Sequence, residues 1–293
     1  MKKLLCFLFA LLALVGCAKN NAPMDGPSDE PVVDENPYNL VTPGKLTLSM
    51  STDFAPLEFV DLTKEGQEKY CGSDVELAKY IANALGLELE IKAMEFDASQ
   101  AAVANHLVDI SISGYSYTAN RAASYLLSIN YSDDEYDPQV IMVAKKDEAK
   151  YTTLASINNA DFQIAAQNGA LQQDLVKEQL PNAELKAIDD LNAVYDLLAG
   201  GTYDGVAVAG EVADTIVAAN PDKFVVVLEQ FDATKYTGNH ALMNIENTAL
   251  CEAVDKAIAS LPEGQYTKWT EEGQALFLSL GDNAAEAIVA EQE

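Results

Sequence analysis

Arginine is almost missing from this chain: one residue, Arg121, stands against seventeen lysines. Histidine is nearly as scarce, with only His106 and His240. No Cys-x-x-Cys pair occurs, so metal-ligand spacing is lacking, and neither a metal nor another cofactor is expected. Positive charge as a whole is short, 18 Lys and Arg against 46 Asp and Glu. A field of that sign argues against nucleic acid as a partner and against docking on anionic lipid. After the first seventeen residues no apolar run approaches the roughly 20 that a membrane-crossing helix needs, which excludes a channel or permease. Ser-His-Asp arrangements and phosphate loops are absent too, so no catalytic constellation is expected.

What is present begins at the first residues. Lys2 and Lys3 precede an apolar run from Leu4 to Val15, too short to span a bilayer but suited to a secretory signal. The run closes on Leu14-Val15-Gly16-Cys17, which resembles the lipobox of bacterial lipoprotein signal peptides. The resemblance implies a signal peptide over 1–16 and a diacylglycerol on the sulfur of Cys17, each buried methylene contributing about 0.8 kcal/mol to anchoring. From there to Pro43 the chain is rich in Pro, Asn, Asp and Glu, and 17–43 is read as the lipidated cysteine and a disordered spacer. The remaining stretch of about 250 residues is long enough for two lobes with cores of their own.

That stretch alternates short apolar runs with amphipathic segments, the pattern of α/β layers around mostly parallel sheet. Lys45 to Ser51 reads as a strand. Ser73-Asp74-Val75-Glu76 reads as a capping box opening a helix that Gly86 ends. Val108 to Ile112 reads as a buried strand, so the loop Gly114 to Thr118 falls at a strand's carboxyl end, where open α/β sheets place ligands. A second unit starts near Gln139, and the segment from Asn239 onward returns to the first. Cys71 and Cys251 are left over for a possible disulfide, which an oxidising compartment permits.

Arg121 carries the chemistry. A guanidinium meets a carboxylate through two parallel hydrogen bonds, whereas ammonium is a hydrated point charge, so a lone arginine among lysines marks a place where lysine does not serve. Its surroundings, Gly114-Tyr115-Ser116-Tyr117-Thr118-Ala119-Asn120-Arg121, resemble a signature of the family-3 extracellular solute-binding proteins, the amino-acid-binding components of ABC importers. Gly72-Ser73-Asp74-Val75-Glu76-Leu77-Ala78, Phe54-Ala55-Pro56-Leu57-Glu58-Phe59 and Lys92-Ala93-Met94-Glu95-Phe96-Asp97 are similar to three more of that family's stretches, in the same order.

The resemblance implies a two-lobed periplasmic-binding-protein fold of type II. Lobe 1 is expected over 44–141 plus 237–293 and lobe 2 over 142–236, joined by a two-strand hinge near Val140–Ala144 and Tyr236–Ala241. It implies a monomer that captures an amino acid or related small carboxylate between its lobes, lipid-anchored outside the cytoplasm, and passes it to an ABC permease. Arg121 falls at the carboxylate position, Ser116 and Gly114 at polar contacts, and Phe54 and Phe96 beside the ligand side chain. Ala166-Gln167-Asn168-Gly169-Ala170-Leu171-Gln172 resembles the second-lobe stretch whose backbone N–H groups reach the carboxylate, which brings in Gln167 and Leu171.

Two departures bear on the ligand. Ala209 stands where the family has an aspartate for the ammonium, with Glu211 as a candidate replacement. Ser51 replaces an acidic residue that meets some ligands' side chains. Together they count against a cationic ligand and leave a neutral polar or aromatic amino acid, or an amine-blocked derivative, open. The same scaffold also serves cyclohexadienyl dehydratases and ligand-sensing modules, which stand as alternatives.

Overall fold

Residues 36–134 and 136–284 are described by the computed structural model. The expected signal peptide, Cys17 and the spacer up to residue 35 lie outside them. The spacer's last residues do not behave as spacer. Leu40 is buried, and the Val41 N–H donates to Asp109 Oδ1 at 2.7 Å, so the chain docks ahead of Gly44.

The first half runs β1 (Lys45–Met50), β2 (Phe59–Val60), β3 (Tyr70–Cys71), α1 (Ser73–Leu85), β4 (Glu88–Ala93), α2 (Phe96–Ala104), β5 (Ile110–Ser111), α3 (Ala119–Ser124) and β6 (Tyr125–Leu127). It continues with β7 (Gln139–Ala144), α4 (Leu154–Ile157), β8 (Gln163–Gln167), α5 (Leu171–Gln179), β9 (Glu184–Ile188), α6 (Leu191–Gly200), β10 (Gly205–Ala209), α7 (Gly210–Ala219) and β11 (Phe224–Val226). It ends with β12 (Leu242–Asn244), α8 (Thr248–Ala259) and α9 (Gln265–Leu280).

Two five-stranded sheets result, ordered β4-β1-β5-β12-β6 and β11-β7-β10-β8-β9. The α/β class and the two sheet-centred bodies agree with the sequence reading, but the pairing is more mixed than mostly parallel. Each sheet has two parallel pairings and two antiparallel ones. The antiparallel partners sit where the chain crosses between sheets, because a strand entering from the other body does not arrive through a βαβ crossover.

Burial explains the strands. Leu46, Leu48 and Met50 of β1 are fully buried, and so are Thr47 and Ser49 on its other face. The polar pair is tolerated because the Thr47 hydroxyl donates to Asp109 Oδ2 and accepts the Asp109 N–H at 3.0 Å, and Ser49 Oγ donates to the Ser99 carbonyl at 3.0 Å. The α1 start differs from the expected capping box. Gly72 is the N-cap, Ser73 is already helical, and no side chain caps the first turn. A Cβ at Gly72 would stand 2.1 Å from the Leu57 carbonyl oxygen, so close backbone approach takes the place of the cap.

The sheet division corrects two further expectations. β7 belongs entirely to the second sheet, so a boundary between 141 and 142 would cut a core strand, and the crossing falls ahead of Gln139. The return crossing runs through Asn239, which bridges Ser116 and accepts the Tyr131 N–H at its carbonyl, 2.9 Å away. Asn130 Oδ1 accepts the Asn239 N–H at 2.8 Å, tying the two crossings together. The possible Cys71–Cys251 disulfide is not formed. Cys71 packs in the apolar cluster around Phe59 and Phe277, whereas Cys251 on α8 packs against a different cluster.

Candidate functional site

Four strands end at one place. The loops after β1 and β5 from the first sheet, and the ends of β8 and β10 from the second, surround a cavity of about 400 Å³ including its mouth. This is the crevice at strand carboxyl ends where α/β sheets leave backbone groups free for a ligand. Of the residues expected at a site, Phe54, Phe96, Gly114, Ser116, Arg121, Gln167, Leu171 and Glu211 line it together. Ser51 does not. It is fully buried behind the wall, and its hydroxyl donates to Asp53.

Arg121 is on α3, whose N-cap Thr118 accepts the Arg121 N–H at 3.1 Å. Its side chain is buried. Nη1 donates to the Ser116 carbonyl at 2.9 Å, Nη2 to the Gly169 carbonyl at 3.3 Å and Nε to Gln100 Oε1 at 3.4 Å. All three acceptors are neutral, and among the described residues no carboxylate forms an ion pair with it. Burial accordingly pulls its pKa below the usual arginine value. Two rings steady the cation, with Tyr115 centred 5.1 Å and Phe96 5.8 Å from the guanidinium carbon. Tyr115 is fully buried and shares hydrogen bonds with Ser99 at 2.6 Å and Ser111 at 2.9 Å.

The loop beneath is fixed by a buried acid. Asp74 accepts the Gly114 N–H at 2.9 Å, the Tyr266 hydroxyl at 2.7 Å and the Tyr131 hydroxyl at 3.2 Å. Glu58 lies beside it and accepts from Ser113. Burial raises both carboxyls, Asp74 to about 6 and Glu58 well above the ordinary range, the latter pushed further by Asp74. Gly114 has φ +57°, and a Cβ there would press on Leu57 and Phe54 at 3.1 and 3.2 Å.

A second charged region of the lining is acidic; Glu211 was expected there, whereas Asp137 and Asn239 were not legible in advance. Asp137 and Asn239 come from the two crossings, and Asn239 Nδ2 donates to Asp137 Oδ2 at 2.6 Å. Asn239 Oδ1 is buried without a partner. Glu211, in the first turn of α7, keeps part of its surface open to the cavity beside Ala209. Burial raises its carboxyl well above the ordinary range, and Asp137 raises it further. Asp137 is also raised, first by burial. No cation compensates either acid among the described residues.

Two amides of the second body pair in the wall: Gln172 Nε2 donates to Gln139 Oε1 at 2.6 Å, and both residues line the cavity. Behind Gln167 lies an acid cluster of Asp53, Glu95, Asp189 and Asp190. The Glu95 carboxyl is pushed up to about 7 by burial and then by Asp53 and Asp190, and its Oε2 is buried without a partner. Glu95 stands in the family-like stretch beside Phe96 but had no role to mark it, and Asp53 lies outside the quoted motifs. α5 starts at Leu171 with no side-chain cap; the Gln173 N–H bonds the Ala170 carbonyl at 3.2 Å, and the N–H groups of the lining residues Leu171 and Gln172 stand at the helix start where an anion held by Arg121 would be met. Neither histidine lines the cavity: His240 bonds the Ser128 carbonyl at 2.7 Å, and His106 the Asn39 carbonyl at 3.0 Å.

Comparison with known proteins adds the family. Residues 46–272 match the sequence model of the bacterial extracellular solute-binding proteins, family 3. The chain is 27% identical over 222 residues to the arginine-binding extracellular protein ArtP of Bacillus subtilis, covering 75% of this chain and 81% of that protein. A crystal structure of an amino acid ABC transporter substrate-binding protein from Streptococcus pneumoniae bound to L-arginine superimposes with a TM-score of 0.73 at 32% identity. It covers 79% of this chain and 94% of its own. A cyclohexadienyl dehydratase of Pseudomonas aeruginosa is 24% identical over 161 residues, 55% of this chain and 58% of that enzyme.

Proposed function

Because the chain belongs to the bacterial extracellular solute-binding proteins of family 3, we propose that it captures a basic amino acid, with L-arginine as the leading candidate, for an ABC importer. The observation that carries this is the charge of the cavity wall. Among the described residues, one buried cation without an acid partner faces the cavity together with acids that lack a cation partner. A zwitterion satisfies both, its carboxylate on Arg121 and the α5 N–H groups, its ammonium on Glu211, Asp137 and Asn239 Oδ1. Phe54 and Phe96 flank the side chain, whose donors meet Gln167, with the acid cluster of Asp53 and Glu95 behind it. The negative field of that cluster favours a cationic side chain, against the case that Ser51 and Ala209 suggested. The arginine-bound relative and the arginine-binding ArtP support the same choice.

The two sheet-centred bodies act as lobes closing about the crossings near 131–138 and 232–240. Cys17 carries the lipid that tethers the protein, and the protein works as a monomer beside its permease. Capture without turnover is preferred to dehydration, since no histidine lines the cavity and its acids are placed to pair with a cation. Calorimetric titration with the common amino acids tests the ligand. Arginine is expected to bind most tightly, and failure of every amino acid to bind refutes the reading. Formation of product from prephenate-like acids would refute capture without turnover. Cys17→Ala tests the anchor and is expected to move the protein from the detergent phase to the aqueous phase.

A further inference from the structure

Gln167 lines the cavity, yet its amide nitrogen is turned away into the acid cluster. Nε2 lies 2.9 and 3.2 Å from the two carboxylate oxygens of Asp53, 3.4 Å from Ser51 Oγ and 3.4 Å from the Asp189 carbonyl. Asp53 comes from the loop after β1 in the first body, whereas Gln167 ends β8 in the second. The same Asp53 carboxylate accepts the Leu191 N–H at the start of α6 at 2.8 Å and the Ser51 hydroxyl. Both residues are 3% exposed, so water cannot take over these roles.

We infer that Asp53 is a specificity-positioning residue: without touching the ligand, it fixes the Gln167 amide so that only the carbonyl oxygen faces the ligand's side chain. Burial raises the Asp53 carboxyl, but the Leu191 N–H, the Ser51 hydroxyl and the Gln167 amide all point donors at it and oppose that rise, and a carboxylate so surrounded accepts and cannot donate. With the Leu191 N–H also bound to it, turning the amide over would set Oε1 against Asp53 and leave Nε2 without an acceptor, both costly in a buried place. The cavity therefore offers an acceptor at this point, and a side-chain tip that only donates is favoured over one that carries an oxygen. The contact also spans the two bodies, so this acceptor is aligned only when they are together.

This inference rests on the proposed capture of a basic amino acid, and the test separates the two. L-arginine and L-citrulline differ at the tip, where an NH2 of the guanidinium becomes a carbonyl oxygen. Their dissociation constants are measured by calorimetry on the full-length protein, with folding of each variant followed by circular dichroism. Wild type is expected to prefer arginine. Asp53→Asn, whose amide can offer either a donor or an acceptor, is expected to shrink the arginine-to-citrulline ratio about tenfold. Gln167→Met is expected to shrink it similarly, and the double variant no more than Gln167→Met alone, because the two residues act in series. An unchanged ratio in Asp53→Asn, or additive effects in the double variant, overturns the assignment while leaving amino-acid capture intact. Should Asp53→Asn not fold, an unchanged ratio in Gln167→Met overturns it equally. Failure of wild type to bind either amino acid overturns the capture reading and this inference with it.

Discussion

The cavity has two charged regions that were built differently. At Arg121 a single cation is held by neutral carbonyls and two aromatic rings, on a helix capped by Thr118. At Glu211 and Asp137 two acids share the task, one on a helix start and one on a crossing between sheets. Loss of the cation leaves nothing to replace it, whereas each acid retains a neighbour of the same charge. Under the proposed function a carboxylate would meet a fixed fork, and a cationic group would meet a field to which several acids contribute.

The largest effect that this contrast predicts is at Arg121. Arg121→Lys is expected to cost about 3 kcal/mol or more in arginine affinity, over a hundredfold in Kd by calorimetry. A change below threefold would erase the contrast. Glu211→Gln and Asp137→Asn are expected to cost about tenfold each, with the pair coupled in a double-mutant cycle. Strict additivity would show that the acids act apart.

The acidic region also predicts a pH dependence. Burial raises the Glu211 and Asp137 carboxyls, so in the free protein they keep protons above the ordinary carboxyl range. A bound cation favours their ionised forms, so binding releases protons and affinity for arginine rises with pH, several-fold between pH 5 and 7.5 on the order expected for one coupled proton. Calorimetry in buffers of different ionisation enthalpy checks the release, and proton uptake would contradict it.

The smallest effect concerns stability without ligand. Glu95, raised to about 7, ionises in the unfolded chain before it does so in the folded one. Its contribution is complete below its unfolded value, near pH 4.5, and is lost as pH rises through about 7. Glu95→Gln is thus expected to raise Tm by about one or two degrees at pH 8 and to leave it unchanged at pH 4. An equal shift at both pH values would point to packing instead.

Legibility followed the same division. Arg121 stood out because arginine occurs once, and Gly114, Ser116, Phe54 and Phe96 sit in motifs with fixed spacing. Asp137 is one acid among 46 and lies in a crossing with no periodic pattern, so only the fold reveals that it meets Glu211. Strands such as β1 and β5 were legible from apolar runs, whereas β6 and β9, only partly buried, were not, and neither was the place where the chain changes sheet. β7 is equally apolar whichever sheet it joins, and the boundary drawn through it had no physical signal behind it. Ser51 matches a family position for the ligand side chain, yet after Met50 its side chain turns behind the wall toward Asp53. Ser73 had the residues of a capping box, yet backbone proximity at Gly72 decided the helix start.

Asn239 lines the cavity, bridges Ser116, holds Asp137 and is itself tied to Asn130 on the other crossing. In mechanical terms the two crossings are pinned to each other at one joint, and that joint is also part of the cavity wall. If the proposed capture closes the two bodies about these crossings, cargo held at Asn239 would sit at the fulcrum, where affinity acts directly on closure.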